Sequence, residues 1–245
     1  MNKVSRRKLI TGAVATTAGV SGLAVATSLA DRYGLIPPAR RGFYSPGDTL
    51  TYASQRLLTR HSLAREFPRS EISKAPFVNG PTFKNAEFKR LEAGGFVDWR
   101  LAIDGLVARP ATLSLADIRS YPSRSQITHL ACEEGWSYIA EWTGVPLGHV
   151  LEAVGILPQA RYVIYSSMDP HWEDSMDMAD ALHPQTFLTY GLNGGDLPVG
   201  NGGPLRMRVP RQLGYKSVKH ITRLKVTDTL KGYASDSSYS WYAGI

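Results

Sequence analysis

An α+β fold is predicted by three observations. Short alternating or β-branched runs recur along the chain from Phe96 onward, and the helical patterns between them are brief. The regular strand–helix–strand alternation of a doubly wound parallel sheet is missing. No internal repeat, GxGxxG, P-loop, CxxC or HExxH is present, which removes the common nucleotide and zinc architectures.

The elements follow in order. Trp99 to Val107 alternates and reads as a strand. Ser114-Leu115-Ala116-Asp117 has the residues of a capping box and starts a short helix that runs to Tyr121, before Pro122. Gln126 to Ala131 alternates and delivers Cys132 at a strand end. Pro146 to Val154 is an amphipathic helix with proline in its first turn and Gly155 after its end. Arg161 to Ser166 is a β-branched and aromatic strand, and Ser175 to Leu182 reads as one short helix. Phe187 to Leu192, Leu205 to Pro210 and Val218 to Val226 complete the strands.

Three segments organise the 245 residues: an export signal over 1–30, an irregular arm over 31–95 that packs on the domain, and a domain over 96–245. The signal has a basic start with Arg6-Arg7, a weakly apolar stretch from Leu9 to Ala30 and small residues at Ser28-Leu29-Ala30. Paired arginines after Ser5 resemble a twin-arginine signal, whose cargo folds around its cofactor before export. That implies twin-arginine export machinery as a partner and the periplasm as destination. In the arm, Ser45-Pro46-Gly47-Asp48 is a turn, and Leu50 to Leu63 suits a short helix or an extended segment equally.

The formal charge is +7, but Lys3, Arg6, Arg7 and Lys8 fall in the signal, which leaves +3 for the rest. So small an excess does not by itself argue for nucleic acid, and none is expected as a partner. Arg206, Arg208, Arg211, Lys216 and Lys219 nevertheless cluster in sequence and suit a local anion site or a solvated surface.

One cysteine excludes an internal disulfide and any multi-cysteine metal centre. Cys132 is followed by Glu133-Glu134-Gly135-Trp136, polar company for a core thiol. A single soft thiolate serves a metal if a cofactor brings the other ligands. The glycine-rich run Asn193 to Gly203 could bring backbone N–H groups close to an anion or a flat ring, or form a plain hairpin loop. Arg206 and Lys219 flank it as phosphate-type cations. His171-Trp172-Glu173-Asp174, after a likely turn, suits a substrate rim or an exposed loop.

Four segments carry a family resemblance: Cys132 to Trp136, Trp142-Thr143-Gly144-Val145-Pro146-Leu147, Asn201 to Arg206 with Val209-Pro210, and Gly214 to Lys219. In this order they resemble the molybdenum domain of the sulfite oxidase family, most nearly its periplasmic bacterial branch, which includes methionine sulfoxide reductase catalytic subunits. The resemblance runs from about Leu101 to Thr227. It implies a mixed, many-stranded domain and a molybdenum–molybdopterin cofactor with Cys132 as the protein ligand to the metal. It also implies pterin or phosphate contacts from Ser166 or Ser167, Asn201, Arg206 and the Ser217-Val218-Lys219 segment, with Gln55 as a further contact from the arm. Glu134 takes the place of a glutamate near the metal, for proton relay, for tuning a neighbouring ligand, or as a surface charge only.

The chain ends at Ile245 without room for the immunoglobulin-like domain of animal and plant sulfite oxidases. It also has acids after the cysteine where those enzymes have an arginine nearby. The expected activity is two-electron oxygen-atom transfer on a small S- or N-oxide or sulfite-like substrate, a neutral oxide fitting the acids better. The expected form is a monomeric catalytic subunit exchanging electrons with a membrane haem subunit or cytochrome. Two other readings compete: an exported binding protein of the same fold without metal, and a thiol enzyme with Cys132 as nucleophile and His129 or His149 as base.

Overall fold

The computed structural model describes residues 46–80 and 85–230, with positions 25, 26, 28–30, 35, 241, 242 and 244. Arg6-Arg7 and most of the expected signal lie outside the described residues. Among the described residues, no helix is long and apolar enough to cross a membrane. The chain divides into two compact units, 1–59 and 60–245.

In the first unit, helix α1 spans Pro46–Thr59 and carries Gln55. Leu50 to Thr59 is thus helical, while Arg60 to Leu63 is not.

The second unit opens with residues 60–80, a strap that is broken by a short 3-10 turn at Arg69–Glu71 and bonds to two neighbouring strands. Phe67 N donates to Ile127 O (2.9 Å) and Ser73 N to Ile139 O (2.9 Å), so the strap fills ladder positions on β3 (Arg124–Ala131) and β4 (Ser137–Pro146). That covers an edge that would otherwise invite pairing with another chain. Helix α2 (Ala86–Ala93) follows, started by the Asn85 side chain, which accepts from Phe88 N.

Two five-stranded sheets hold the core. One is ordered β2-β1-β10-β5-β6, from β1 (Arg100–Gly105), β2 (Ala111–Ser114), β5 (Tyr162–Ser167), β6 (Glu173–Asp177) and β10 (Ile221–Thr227). Only β1 and β10 are parallel. The other is ordered β3-β4-β7-β8, with β7 (Phe187–Leu192), β8 (Gly195–Asp196) and β9 (Arg206–Arg208) paired to β7. Mixed sheets with short helices are the α+β architecture expected.

Helix α3 (Leu115–Ser120) begins with the capping box read from Ser114 and Asp117, both halves formed. Helix α4 (Leu147–Val154) buries Leu147, Val150, Leu151 and Val154 at helical spacing and ends on Gly155 in the left-handed region. Pro146 caps this helix as the last residue of β4.

One expectation fails at Ser175–Leu182. Ser175 to Asp177 belong to β6, paired with β5, and only Met178–Ala181 (α5) is helical, started by the Asp177 side chain. Hydrogen bonds to a neighbouring strand outweigh a weak local helical pattern. The ten-residue strand β4 was not foreseen, because its glycine and proline read as breakers.

Candidate active site

The site is built from three chain reversals that meet above the sheets. The first follows β3. Cys132 N donates to Trp136 O (3.0 Å) and Gly135 N to Cys132 O (3.1 Å), closing a tight turn with Gly135 at φ +89°. The thiol is 9% exposed, 3.2 Å from Glu133 Oε2 and 3.9 Å from Glu134 Oε2. Burial pushes it up to about 11, and the two carboxylates add to the rise. Cys132 is therefore a neutral thiol at pH 7, a poor nucleophile. His129 stands an odd number of residues away on β3, on the opposite face, against Phe67 (6.3 Å between rings), and His149 lies on α4. Neither histidine is thereby placed as a base to Cys132.

The second reversal is the β5–β6 loop. Ser167 N donates to Trp172 O (2.9 Å), and Ser167 Oγ accepts from Asp169 N (3.0 Å). Ser166, one position earlier, turns to the other face and donates to Glu173 Oε2 (2.7 Å).

The third reversal follows β9. Arg206, 4% exposed, donates from Nε to Ser217 O (2.9 Å) and from Nη1 to Asn201 O (2.9 Å). Ser217 Oγ accepts from Val209 N (3.2 Å), and Lys219 Nζ donates to Gly200 O (2.7 Å) and Asn79 O (3.0 Å). A Cβ on Gly214 would stand 3.3 Å from Ala131 O, so this loop packs directly on the end of β3.

Together they enclose a cavity of about 390 Å³. Cys132, Glu134, Ser167, Arg206, Ser217, Val218 and Lys219 line it. Of the pair left open, Ser167 lines the cavity and Ser166 does not, as strand alternation requires. Asn201 does not line it either. It is buried behind, its Nδ2 donating to Phe77 O (3.4 Å). Gln55 is on α1 in the first unit.

The glycine run also needs correction, since none of its glycines lines the cavity. A Cβ on Gly203 would come within 2.2 Å of Leu197 O, so this glycine serves packing inside the loop. Asn79 and Gly80 of the strap line the cavity and were missed, because Asn-Gly signals a turn and says nothing of where that turn lies.

The basic cluster separates into two groups. Lys216 is paired with Asp174 (2.6 Å), and Arg211 lies 3.7 Å from Asp180. Among the described residues, no carboxylate reaches Arg206, Arg208 or Lys219. Arg208 donates from Nη2 to Thr128 Oγ1 (3.2 Å) and His129 O (2.6 Å), and its Nε and Nη1 are buried without a partner. Arg206 and Arg208 both lie over the Trp142 ring, at 5.7 and 5.1 Å. Burial, then the neighbouring Arg206, lowers Arg208 to about 9.

Such an excess of buried positive charge calls for an anion. The metal end gives a complementary signal: among the described residues no group of three or more His, Cys, Asp or Glu could hold an ion. A metal at Cys132 must arrive with most of its own ligands, and a phosphate-bearing chelate fits both ends. Displacement of the thiol proton by the metal makes loading proton-releasing.

Lys219 gives a pH test. Burial, then Arg206, lowers its ammonium from 10.5 to about 8. Below pH 8 it is charged in native and unfolded chains alike. Between about 8 and 10.5 the native state has lost a proton the unfolded chain keeps, so on this group stability of the metal-free protein rises with pH. Anion affinity falls over the same window. Calorimetry with sulfate, whose charge is constant there, should show weakening from pH 8 upward in wild type and a clearly shallower decline between pH 8 and 9 in Lys219→Gln. A wild-type decline as shallow as the variant's would contradict this assignment.

The family model described as oxidoreductase molybdopterin binding domain matches residues 90–233. The chain belongs to this family. The match covers more than half the chain and opens inside α2, before the boundary at 96 expected from sequence.

A protein named as a protein-methionine-sulfoxide reductase subunit, YedZ1, of Azospira oryzae is 38% identical over 77% of this chain and 70% of that protein. The protein-methionine-sulfoxide reductase catalytic subunit MsrP of Ralstonia nicotianae is 32% identical over 60% of this chain, which spans half of MsrP's length. The sulfane dehydrogenase SoxCD of Paracoccus pantotrophus has a similar structure (TM-score 0.52, 25% identity), over 54% of this chain and 39% of that one. This molybdopterin-binding oxidoreductase is thus an enzyme of the sulfite oxidase type, with molybdenum–molybdopterin as cofactor and the α+β domain expected.

Proposed function

We propose that this oxidoreductase catalyses oxygen-atom transfer from a neutral S- or N-oxide, a sulfoxide first among them, with electrons delivered singly by a separate haem protein. The observation that carries this reading is the polarity of the cavity. Arg206 and Lys219 line it with no carboxylate paired to them among the described residues, while Glu133 and Glu134 line it beside the Cys132 thiol, at 3.2 and 3.9 Å from Sγ.

Arg206, Lys219 and Ser217 would hold the anionic end of the cofactor, and Cys132 would be the protein's ligand to the metal. When bound, the cofactor supplies the two-electron change that the reaction needs. Reduction of a sulfoxide consumes two protons with two electrons and releases the sulfide and water. Glu134 is exposed, lies 3.9 Å from Sγ and accepts from Trp136 Nε1 (2.7 Å), so it can carry protons from solvent to the metal side. The carboxylates repel an anionic oxide such as sulfite. The names of the YedZ1 and MsrP relatives, both given as protein-methionine-sulfoxide reductase, support the sulfoxide. Export to the periplasm through the twin-arginine route follows from Arg6-Arg7 and from a cofactor that must be loaded before translocation.

The test is elemental analysis of cytoplasmically matured protein, pterin fluorescence after oxidation, and a reduced-dye screen of sulfoxides, N-oxides and sulfite. One molybdenum per chain and turnover of neutral oxides are expected. Metal-free matured protein, or turnover of sulfite alone, would overturn the reading.

A further inference from the structure

Toward solvent the cavity lining turns aromatic. Trp136 is held on three sides: its ring packs on Phe77 (4.8 Å, 33°), stacks with Tyr138 (6.1 Å, 14°) and donates from Nε1 to Glu134 (2.7 Å). Three contacts on one side chain leave it little rotamer freedom, so its face toward the cavity is preformed. Phe77 is itself fixed through its carbonyl, which accepts from Asn201.

Trp172 lines the same cavity from the β5–β6 loop and is 50% exposed. Its backbone is tied on both sides, N to Asp169 O (3.0 Å) and O to Ser167 N (2.9 Å). Met168 N also donates to His220 O (2.8 Å), fastening this loop to the segment after Lys219. A large apolar ring presented to water on a rigid turn beside a cavity is the geometry of a ligand contact. Neither tryptophan has a part in holding the anionic end or the metal.

We infer that Trp136 and Trp172 determine specificity, forming apolar walls that receive the carbon substituents of a neutral organic sulfoxide while the oxygen faces Cys132. Sulfur and its flanking methyl or aryl groups make favourable contacts with aromatic rings, and these contacts grow with the substituent. This inference rests on the reading of the site as an oxygen-atom transfer centre.

The experiment compares holoenzyme of wild type, Trp172→Ala and Trp136→Leu with methyl phenyl sulfoxide and dimethyl sulfoxide, using a reduced dye. The ratio of kcat/KM for the aryl over the dimethyl substrate should fall about tenfold in Trp172→Ala, equivalent to about 1.4 kcal/mol. Most of that change should be in KM, and Trp172→Phe should recover much of the ratio. An unchanged ratio in both alanine and leucine variants overturns the assignment.

Calorimetry with methyl phenyl sulfone, a non-turnover analogue, separates this from the reaction itself. If wild type reduces neither sulfoxide, the proposed reaction fails, yet weaker sulfone binding in Trp172→Ala would still support the walls. Equal sulfone binding in wild type and variant would overturn them. Trp172, half exposed, keeps the test available should the Trp136 variant fold poorly.

Discussion

Replacing Cys132 by serine should lower turnover with a reduced dye on the order of a thousandfold or more, about 4 kcal/mol in the barrier. The pterin should stay largely bound. Serine is nearly isosteric, so the turn closed by Cys132 N and Trp136 O survives, and Arg206, Lys219 and Ser217 are untouched. What is lost is a soft, polarisable donor. A hydroxyl beside Glu133 and Glu134 has little tendency to ionise, since a second negative charge there is unfavourable. Pterin fluorescence and molybdenum content, measured on the same preparation as the rates, check both halves. Turnover near the wild-type rate would show that Cys132 is not the essential ligand.

Lys216→Met should cost roughly 3–5 kcal/mol of stability, the usual loss when one partner of a buried ion pair is removed. The Lys216 side chain is 1% exposed and that of Asp174 5%, and Nζ donates to Asp174 Oδ1 (2.6 Å) and Ser175 O (2.8 Å). The methionine would take the ammonium from Asp174 and leave a buried carboxylate without that counter-charge. At two to four degrees per kcal/mol for a chain of this size, the melting temperature should drop by about 10 °C. Thermal unfolding of Lys216→Met beside Lys216→Met/Asp174→Leu tests the cause. The double variant should recover much of the loss, and a single variant that melts within two degrees of wild type would refute the pair's importance.

How much of this was legible depended on range. Elements set by neighbours in sequence were readable: the Ser114 capping box, Gly155 closing α4, and a strand that ends just before Cys132. Strand β4 was not, because Gly144 and Pro146 look like breakers until β3 and β7 are seen on either side. Ser175 to Asp177 likewise carried no local sign of β6.

The site shows the same divide. Cys132, Arg206 and Lys219 stood out by type and spacing, and the structure brings them to one cavity. The choice between Ser166 and Ser167 needed the strand's phase. Lys216 looked like one more member of an anion site, and only a fold that brings Asp174 across 42 positions shows it to be neutralised. Asn79 was invisible for a similar reason, lying 140 positions from the lysine that grips its carbonyl.

Arg206 and Arg208 both lie over a single indole, and among the described residues no carboxylate pairs with either. Like charges confined in a medium of low polarisability repel, so assembling this interior is costly until something negative enters. Occupancy and folding are therefore thermodynamically linked: the loaded chain melts higher than the empty one, by an amount that grows with the tightness of loading. A chain without its cofactor is expected to open more often and to be cut faster by an added protease than the loaded one.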